Sequence, residues 1–325
     1  MPAMRVVFLG SGAFGLPTLR SLAERHEVVG VVTQPDRPAG RGSKLTPTPI
    51  GGWAAEHLAG VPLIKPEKIN TQEVRELVRS WDCDAWVVIA FGQKLGAALL
   101  ADRFAVNLHA SLLPRWRGAA PINHAILAGD AETGNSVITL AERMDAGLVL
   151  GQSRRAIGPG QTAGALHDLL AGDGPELVGR VLREHAAGTL EGRAQDESLV
   201  TLAGKLSKSD GRIDWGAGAD PVRCRINGLS PWPGVTVFYE GQALKVARAE
   251  PGGPVSEDLV PGTIVDPGTG LIACGGGGSV RLPEVQPAGK RAMAFSAWAN
   301  GRQVRARDRL DAGGDGDGGV GGEGA

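Results

Sequence analysis

The sequence predicts an α/β fold: a doubly wound parallel sheet over the first 190 residues, joined to a smaller antiparallel barrel or sandwich. Three observations carry this. Compact runs of Val, Ile, Leu and Ala alternate with helix-like segments up to residue 187, as strands buried on both faces do. A glycine turn follows the first run. Beyond residue 208 the apolar stretches shorten and are separated by Gly, Pro and Asp turns, the spacing of a small all-β unit.

Taken in order, strands are expected over 5–9, 28–33, 85–90, 105–109, 136–140 and 149–155. A helix over 14–25 follows the glycine turn. Pro49 opens another over 50–59, with Thr48 as its N-cap. Asn70 and Glu73 form a capping box for 71–80. Helices over 119–128 and 162–187 complete the first domain, residues 1–190. The pattern weakens over 191–208, "EGRAQDESLVTLAGKLSK", which reads as a linker. In 209–310 the short strands "GVTVFYE", "ALKVARAE", "GTIVDP", "LIACGG" and "SVRLPEV" form the second domain. The tail 311–325, "DAGGDGDGGVGGEGA", has too few apolar side chains to fold and is expected to be disordered.

Composition excludes several classes. No apolar run reaches the ~18 residues that span a bilayer. "MPAMRVVFLG" enters a strand pattern directly, without a cleavable leader, so a cytoplasmic protein is expected, and a monomer. Cys83, Cys224 and Cys274 lie far apart with no C-x-x-C pair, which argues against a disulfide framework and a structural zinc site. The net charge of −1 hides an asymmetry: residues 205–310 carry four more cations than acids, and the tail carries four acids and no base. A mildly basic second half is compatible with a nucleic-acid partner without requiring one.

Two stretches compete to define the chemistry. "VVFLGSGAFG" spells G-x-G-x-x-G at Gly10, Gly12 and Gly15, and "EVVGVVTQPD" delivers Asp36 near the position of a ribose-binding acid. Asp36, however, sits between Pro35 and Arg37 in a loop of prolines, glycines and cations, a poor approach for a ribose, and NAD is not expected. The second stretch is "VNLHASLLPRWRGAAP", residues 106–121. Asn107 and His109 are two apart on one strand and so project from the same face. They lie at its carboxyl end, where α/β sheets place their ligands. Asp145 follows on a Gly-flanked loop, "RMDAGLVLG". Amide, imidazole and carboxylate can together serve acyl transfer: the amide stabilises an oxyanion, the imidazole moves a proton, and the carboxylate orients the imidazole. Taken singly, His109 reads as a core histidine and Asp145 as a turn residue. The pairing with Asn107 and the adjoining tight turn favour chemistry for His109, whereas Asp145 gains a role only from the resemblance below. Arg37, Arg41 and Lys44 lie on a long loop stiffened by prolines, the kind that tends to be functional.

These residues carry a family resemblance. "NLHASLLP" resembles the N-x-H-x-S-L-L-P signature of the 10-formyltetrahydrofolate-dependent formyltransferases. "PRWRGAAP", "TQPDRPAGRGSKL", "KLSK" and "LPEVQPAGKRAM" resemble the members that act on methionyl-tRNA, and the likeness runs from about residue 4 to 310. It implies a Rossmann-like catalytic domain and an OB-like C-terminal barrel. It implies 10-formyltetrahydrofolate as co-substrate, no metal, and charged initiator tRNA as acceptor. Residue by residue, it implies Asn107, His109 and Asp145 as the catalytic trio. Ser111, Leu112, Leu113 and Pro114 line the folate site, and Phe91 and Gly92 border the pterin pocket. Arg37, Arg41, Lys44 and Lys205 contact tRNA. Two positions depart from the family: Ser43 stands where Lys is common, and Gly96 where Pro is usual. A formyltransferase acting on a small amine shares the trio and is the alternative; it needs neither the cationic loop nor a basic barrel.

Overall fold

A computed structural model describes residues 3–39 and 44–312. The chain divides into two compact units. The first runs to Pro121 and adds Glu132–Ala156 and His167–Gly204; the second takes Ile122–Ala131, Ile157–Leu166 and the chain from Lys205 onward.

The first unit contains β1 (Arg5–Gly10), β2 (Glu27–Val32), β3 (Arg37–Ala39), β4 (Lys44–Thr46), β5 (Leu63–Ile64), β6 (Ala85–Ile89), β7 (Ala105–His109), β8 (Arg117–Gly118), β9 (Glu132–Thr139), β10 (Val149–Ala156) and β11 (Leu202–Ala203). Its helices are α1 (Leu16–Arg25), α2 (Pro49–His57), α3 (Gln72–Ser80) and α4 (Ala97–Leu100); α5 (Pro121–Leu127) and α6 (Ala163–Ala186) straddle the division. Seven strands form one sheet in the order β10-β9-β7-β6-β1-β2-β5. From β7 to β5 every pair is parallel. All of β6 and all but the first residue of β1 are buried, as their unbroken apolar sequences require. Val7, Leu9, Val32, Trp86, Val88 and Leu99 share one core cluster.

The sheet is mixed: the expected parallel core, β7 to β5, is extended at one edge by β9 and β10. β9 runs antiparallel to both β7 and β10. The loop 140–148 is shorter than the dozen residues a parallel crossover needs, so chain length dictates the β9–β10 reversal. That hairpin loop carries Asp145.

Thr48 caps α2 as expected, its Oγ1 accepting from Gly51 N at 2.9 Å. The cap of α3 is Thr71 rather than Asn70. Asn70 instead bridges a neighbouring loop, donating to Lys94 O and accepting from Gly96 N, both at 2.8 Å. Gly96 thus uses an N–H that proline lacks. Residues 191–204, expected as linker, belong to the first unit: Thr201 Oγ1 accepts from Trp116 N at 2.9 Å, and β11 pairs with β8.

The second unit is strand-rich. β12 (Val235–Tyr239), β13 (Gln242–Val246), β14 (Glu250–Pro254), β15 (Ile264–Asp266), β16 (Leu271–Ala273), β17 (Gly278–Arg281), β18 (Glu284–Pro287) and β19 (Met293–Ala294) form two antiparallel sheets, β12-β13-β18-β19 and β14-β17-β16-β15. Both contribute to one apolar core with Trp215, Ile226, Val237, Val246, Ile264, Val280 and Phe295. Two helices, α7 (Ala219–Gly228) and α8 (Phe295–Arg302), lie in segments to which the sequence assigns no element. Among the described residues no helix is long and apolar enough to cross a membrane.

Candidate active site

β7 brings Asn107 and His109 to one face beside β9, with His109 opposite Ser136. His109 is 7 % exposed. Its Nε2 lies 2.8 Å from the carbonyl of Trp116. A carbonyl only accepts, so Nε2 carries a hydrogen and Nδ1 is turned toward Asp145. The Nδ1–Oδ2 distance is 3.6 Å, beyond a hydrogen bond but within ion-pair range for a protonated ring. Asp145 Oδ2 also accepts from Gly118 N at 2.9 Å. Asn107 is half-buried, and among the described residues its carboxamide has no hydrogen-bond partner.

The backbone around the trio is unusual. Ala90, Trp116 and Asp145 have φ of 47°, 62° and 53°, a left-handed region that residues with a Cβ seldom occupy and that concentrates at functional sites. Gly147 is required two residues after Asp145: a Cβ there would lie 1.7 Å from Thr139 O.

The S-L-L-P turn is pinned from beneath. Ser111 is fully buried, and its Oγ donates to Arg115 O at 2.7 Å. Ser136 Oγ donates to Ser111 O at 2.7 Å and accepts from Leu113 N at 3.0 Å. Gln152 Nε2 donates to Leu113 O at 3.0 Å and to Ser136 Oγ at 2.9 Å. Leu113 is buried, Leu112 and Pro114 are half-buried, and the Leu113–Pro114 peptide is cis.

Behind the trio lies a charged clamp. Arg117, 4 % exposed, directs Nε and Nη2 to Gln195 Oε1 at 3.0 and 2.8 Å. Its Nη2 also reaches Glu197 Oε1 at 2.8 Å, and Arg143 approaches the other Glu197 oxygen at 2.9 Å. The Arg117 guanidinium, with Arg143 assisting, holds the Glu197 carboxyl below the usual carboxylate range. Gln195 Nε2 donates to the carbonyls of Asp145 and Gly147 at 2.7 and 2.8 Å.

The remaining expected site residues are more scattered. The Phe91 ring belongs to the sheet core, and its carbonyl accepts from Ser11 Oγ and Gln34 Nε2, both at 3.1 Å. Gly92 is exposed with φ 85°. Arg37 pairs with Glu67 at 2.9 Å on the surface, Lys44 is exposed on β4, and Arg41 lies outside the described residues. Lys205 is exposed and falls in the second unit. Asp36 is held by Lys65 Nζ at 2.6 Å. Among the described residues no group of three or more His, Cys, Asp or Glu side chains is arranged to hold a metal ion.

Residues 4–182 match the formyl transferase domain model, and residues 205–303 match the formyl transferase C-terminal domain. The chain belongs to the formyltransferase family. This formyltransferase is 44 % identical over 300 residues to a methionyl-tRNA formyltransferase of Methylococcus capsulatus, covering 91 % of this chain and 96 % of that one. It is 38 % identical over 314 residues to one of Geobacter sulfurreducens, covering 95 % and 98 %. Its fold is similar to HypX of Aquifex aeolicus solved with tetrahydrofolic acid, with a TM-score of 0.64 at 15 % identity, covering 94 % of this chain and 49 % of that one; the chain thus spans about half of HypX. It is also similar to an N-formyltransferase of Helicobacter canadensis in complex with folinic acid and dTDP-3-aminofucose, with a TM-score of 0.63 at 13 % identity, covering 87 % and 98 %.

Several polar residues of this formyltransferase have no signature in the sequence. Ser136 and Gln152 face the S-L-L-P turn because of β9–β10 register. A cross-strand pairing of β7 with β9 would have placed Ser136 opposite His109. Gln195, Glu197 and Thr201 sit in a polar segment that reads as linker; only the buried Arg117, which needs acceptors, hints at them.

Proposed function

We propose that this formyltransferase moves the formyl group of 10-formyltetrahydrofolate to the α-amino group of methionine esterified to initiator tRNA, as a cytoplasmic monomer. One observation carries the reading: His109 meets Asp145 beside Asn107 at the carboxyl end of β7. Ser111, the nearest hydroxyl in sequence, is committed to Arg115 O, which favours direct attack by the substrate amine over a covalent intermediate. The choice of acceptor rests on relatives that share nearly their whole length with this chain and act on methionyl-tRNA by name.

The chemistry follows from the groups present. A free α-amino group titrates at about 8, and the ester lowers that, so neutral amine is available at neutral pH. The amine nitrogen attacks the formyl carbon; a C–N bond forms and the carbonyl oxygen becomes an oxyanion. The Asn107 amide donates to that oxygen. His109, its ring fixed through Trp116 O and oriented by Asp145, takes up the proton that the amine loses and passes it on. The bond from carbon to N10 then breaks, and the proton released by the amine ends on N10. The S-L-L-P turn with Phe91 and Gly92 borders the folate. Arg37, Arg41 and Lys44 hold the acceptor arm, and Lys205 the backbone; the exposed Arg37–Glu67 pair is weak enough to yield to a phosphate.

Incubation with 10-formyltetrahydrofolate and charged initiator tRNA should give acid-stable formyl-methionine. Formylation of an amino-sugar nucleotide, with none of the tRNA, would replace this reading with the small-amine one.

A further inference from the structure

We propose that Gln195, backed by Arg117 and Glu197, is a positioning residue that fixes the backbone of Asp145 and thereby the aim of its carboxylate at His109. The inference rests on the catalytic reading of the trio. Asp145 occupies a left-handed conformation, φ 53°, in a hairpin loop, and a residue with a Cβ stays there only where its surroundings hold it. Gln195 supplies the hold. Its single amide nitrogen bonds the carbonyls on either side of Ala146, at 2.7 Å to Asp145 O and 2.8 Å to Gly147 O.

Gln195 is in turn fixed by a group that cannot easily leave. Both Arg117 Nε and Nη2 converge on Gln195 Oε1. With its oxygen saturated by two guanidinium donors, the amide cannot flip, and the NH₂ must face the Asp145 loop. Arg117 is buried, so its charge needs the Glu197 carboxylate, which Arg143 shares. Arg143 lies two residues before Asp145, so the clamp grips that loop on both sides. The residue preceding Arg117 is Trp116, whose carbonyl receives His109 Nε2, and the residue following it is Gly118, whose N–H binds Asp145 Oδ2. One buried guanidinium therefore ties together the segment that holds the imidazole and the segment that holds the carboxylate.

The test uses the full chain and two substitutions. Gln195→Glu keeps the acceptor for Arg117 and loses both donations to the Asp145 loop; Gln195→Ala removes both arms. Single-turnover formyl transfer should slow by ~10–100-fold in either, the scale of a misaligned catalytic group, while KM for both substrates stays within about twofold of wild type. In an Asp145→Asn background the same changes at Gln195 should add nearly nothing, because the group they aim is gone. Equal slowing in both backgrounds, or a rise in KM without a fall in kcat, would overturn the proposal alone. If Asp145→Asn itself leaves kcat unchanged, the catalytic reading of the trio fails and the proposal fails with it.

Discussion

Two turns in the first unit occupy equivalent places in the sheet and do different things. One follows β1 and carries Gly10, Gly12 and Gly15; the other follows β7 and carries Ser111 to Pro114. Both leave the carboxyl end of a buried parallel strand. In the first, two of the three glycines answer to packing: a Cβ on Gly10 would lie 2.6 Å from the Phe8 ring and 2.8 Å from Ile89 O, and one on Gly15 would lie 3.1 Å from Phe8. Its one polar side chain, Ser11, closes the loop onto Phe91 O and Gln34 N. In the second, side chains from β7, β9, β10 and two distant loops converge on one another. A glycine pattern reports how closely backbones approach; converging side chains report chemistry.

The comparison can be broken or sharpened by substitution. The largest effect belongs to the second turn. His109→Ala should cost ~10²–10⁴ in turnover, the range of an acid–base group, and Asn107→Ala ~10²–10³, the range of one oxyanion donor. Single-turnover rates with saturating folate check both, and unchanged rates in either would move the chemistry elsewhere. Ser136→Ala comes next. It leaves Leu113 N–H and Ser111 C=O short of a partner, so it should destabilise by ~1–3 kcal/mol and weaken folate binding, read by urea unfolding and folate titration.

Gly10→Ala should cost a similar ~1–3 kcal/mol through overpacking, with kcat retained in the folded fraction. Gly12→Ala should stay within ~0.5 kcal/mol, because its backbone is extended and an added Cβ meets only Ala90 Cβ at 3.4 Å. A fall in kcat with normal stability in Gly12→Ala would show that the glycine turn touches the reaction after all. The smallest effect concerns acid. The Glu197 carboxyl is held below its ordinary value by Arg117, so its contribution is complete above the unfolded value of about 4.3 and is lost as pH falls through the folded one. The urea midpoint of Glu197→Gln should therefore converge on wild type at low pH; a constant gap at every pH would assign the loss to packing.

Much of the first unit is legible because buried parallel strands advertise themselves. β1, β2, β6 and β7 were marked by continuous apolar runs, and Thr48 by its place before Pro49. The reversal of β9 and β10 is legible in the length of loop 140–148 and in the polar run Gln152–Arg155 of β10, which a strand buried on both faces would not carry. The cap of α3 moved by one residue because Asn70 found better partners across a loop than in its own helix. His109 and Asn107 were visible as a same-face pair. Gln195 and Glu197 were not, since a polar segment that serves a buried arginine nearly eighty residues earlier leaves no local mark. The α7 and α8 helices escaped for a different reason: each is short, and Pro221 and Gly228 in α7 and Gly301 in α8 interrupt a helical pattern.

The division of the chain has a consequence for its biosynthesis. The second unit draws Ile122–Ala131 and Ile157–Leu166 from the middle of the sequence and the remainder from Lys205 onward. A ribosome adding about 5–20 residues per second releases the two early pieces roughly ten seconds or more before their unit is complete. Until then Leu127, which packs against the core of the second unit in the finished protein, is without that core. A polypeptide stopped at Gly204 would leave Leu127 without that cover.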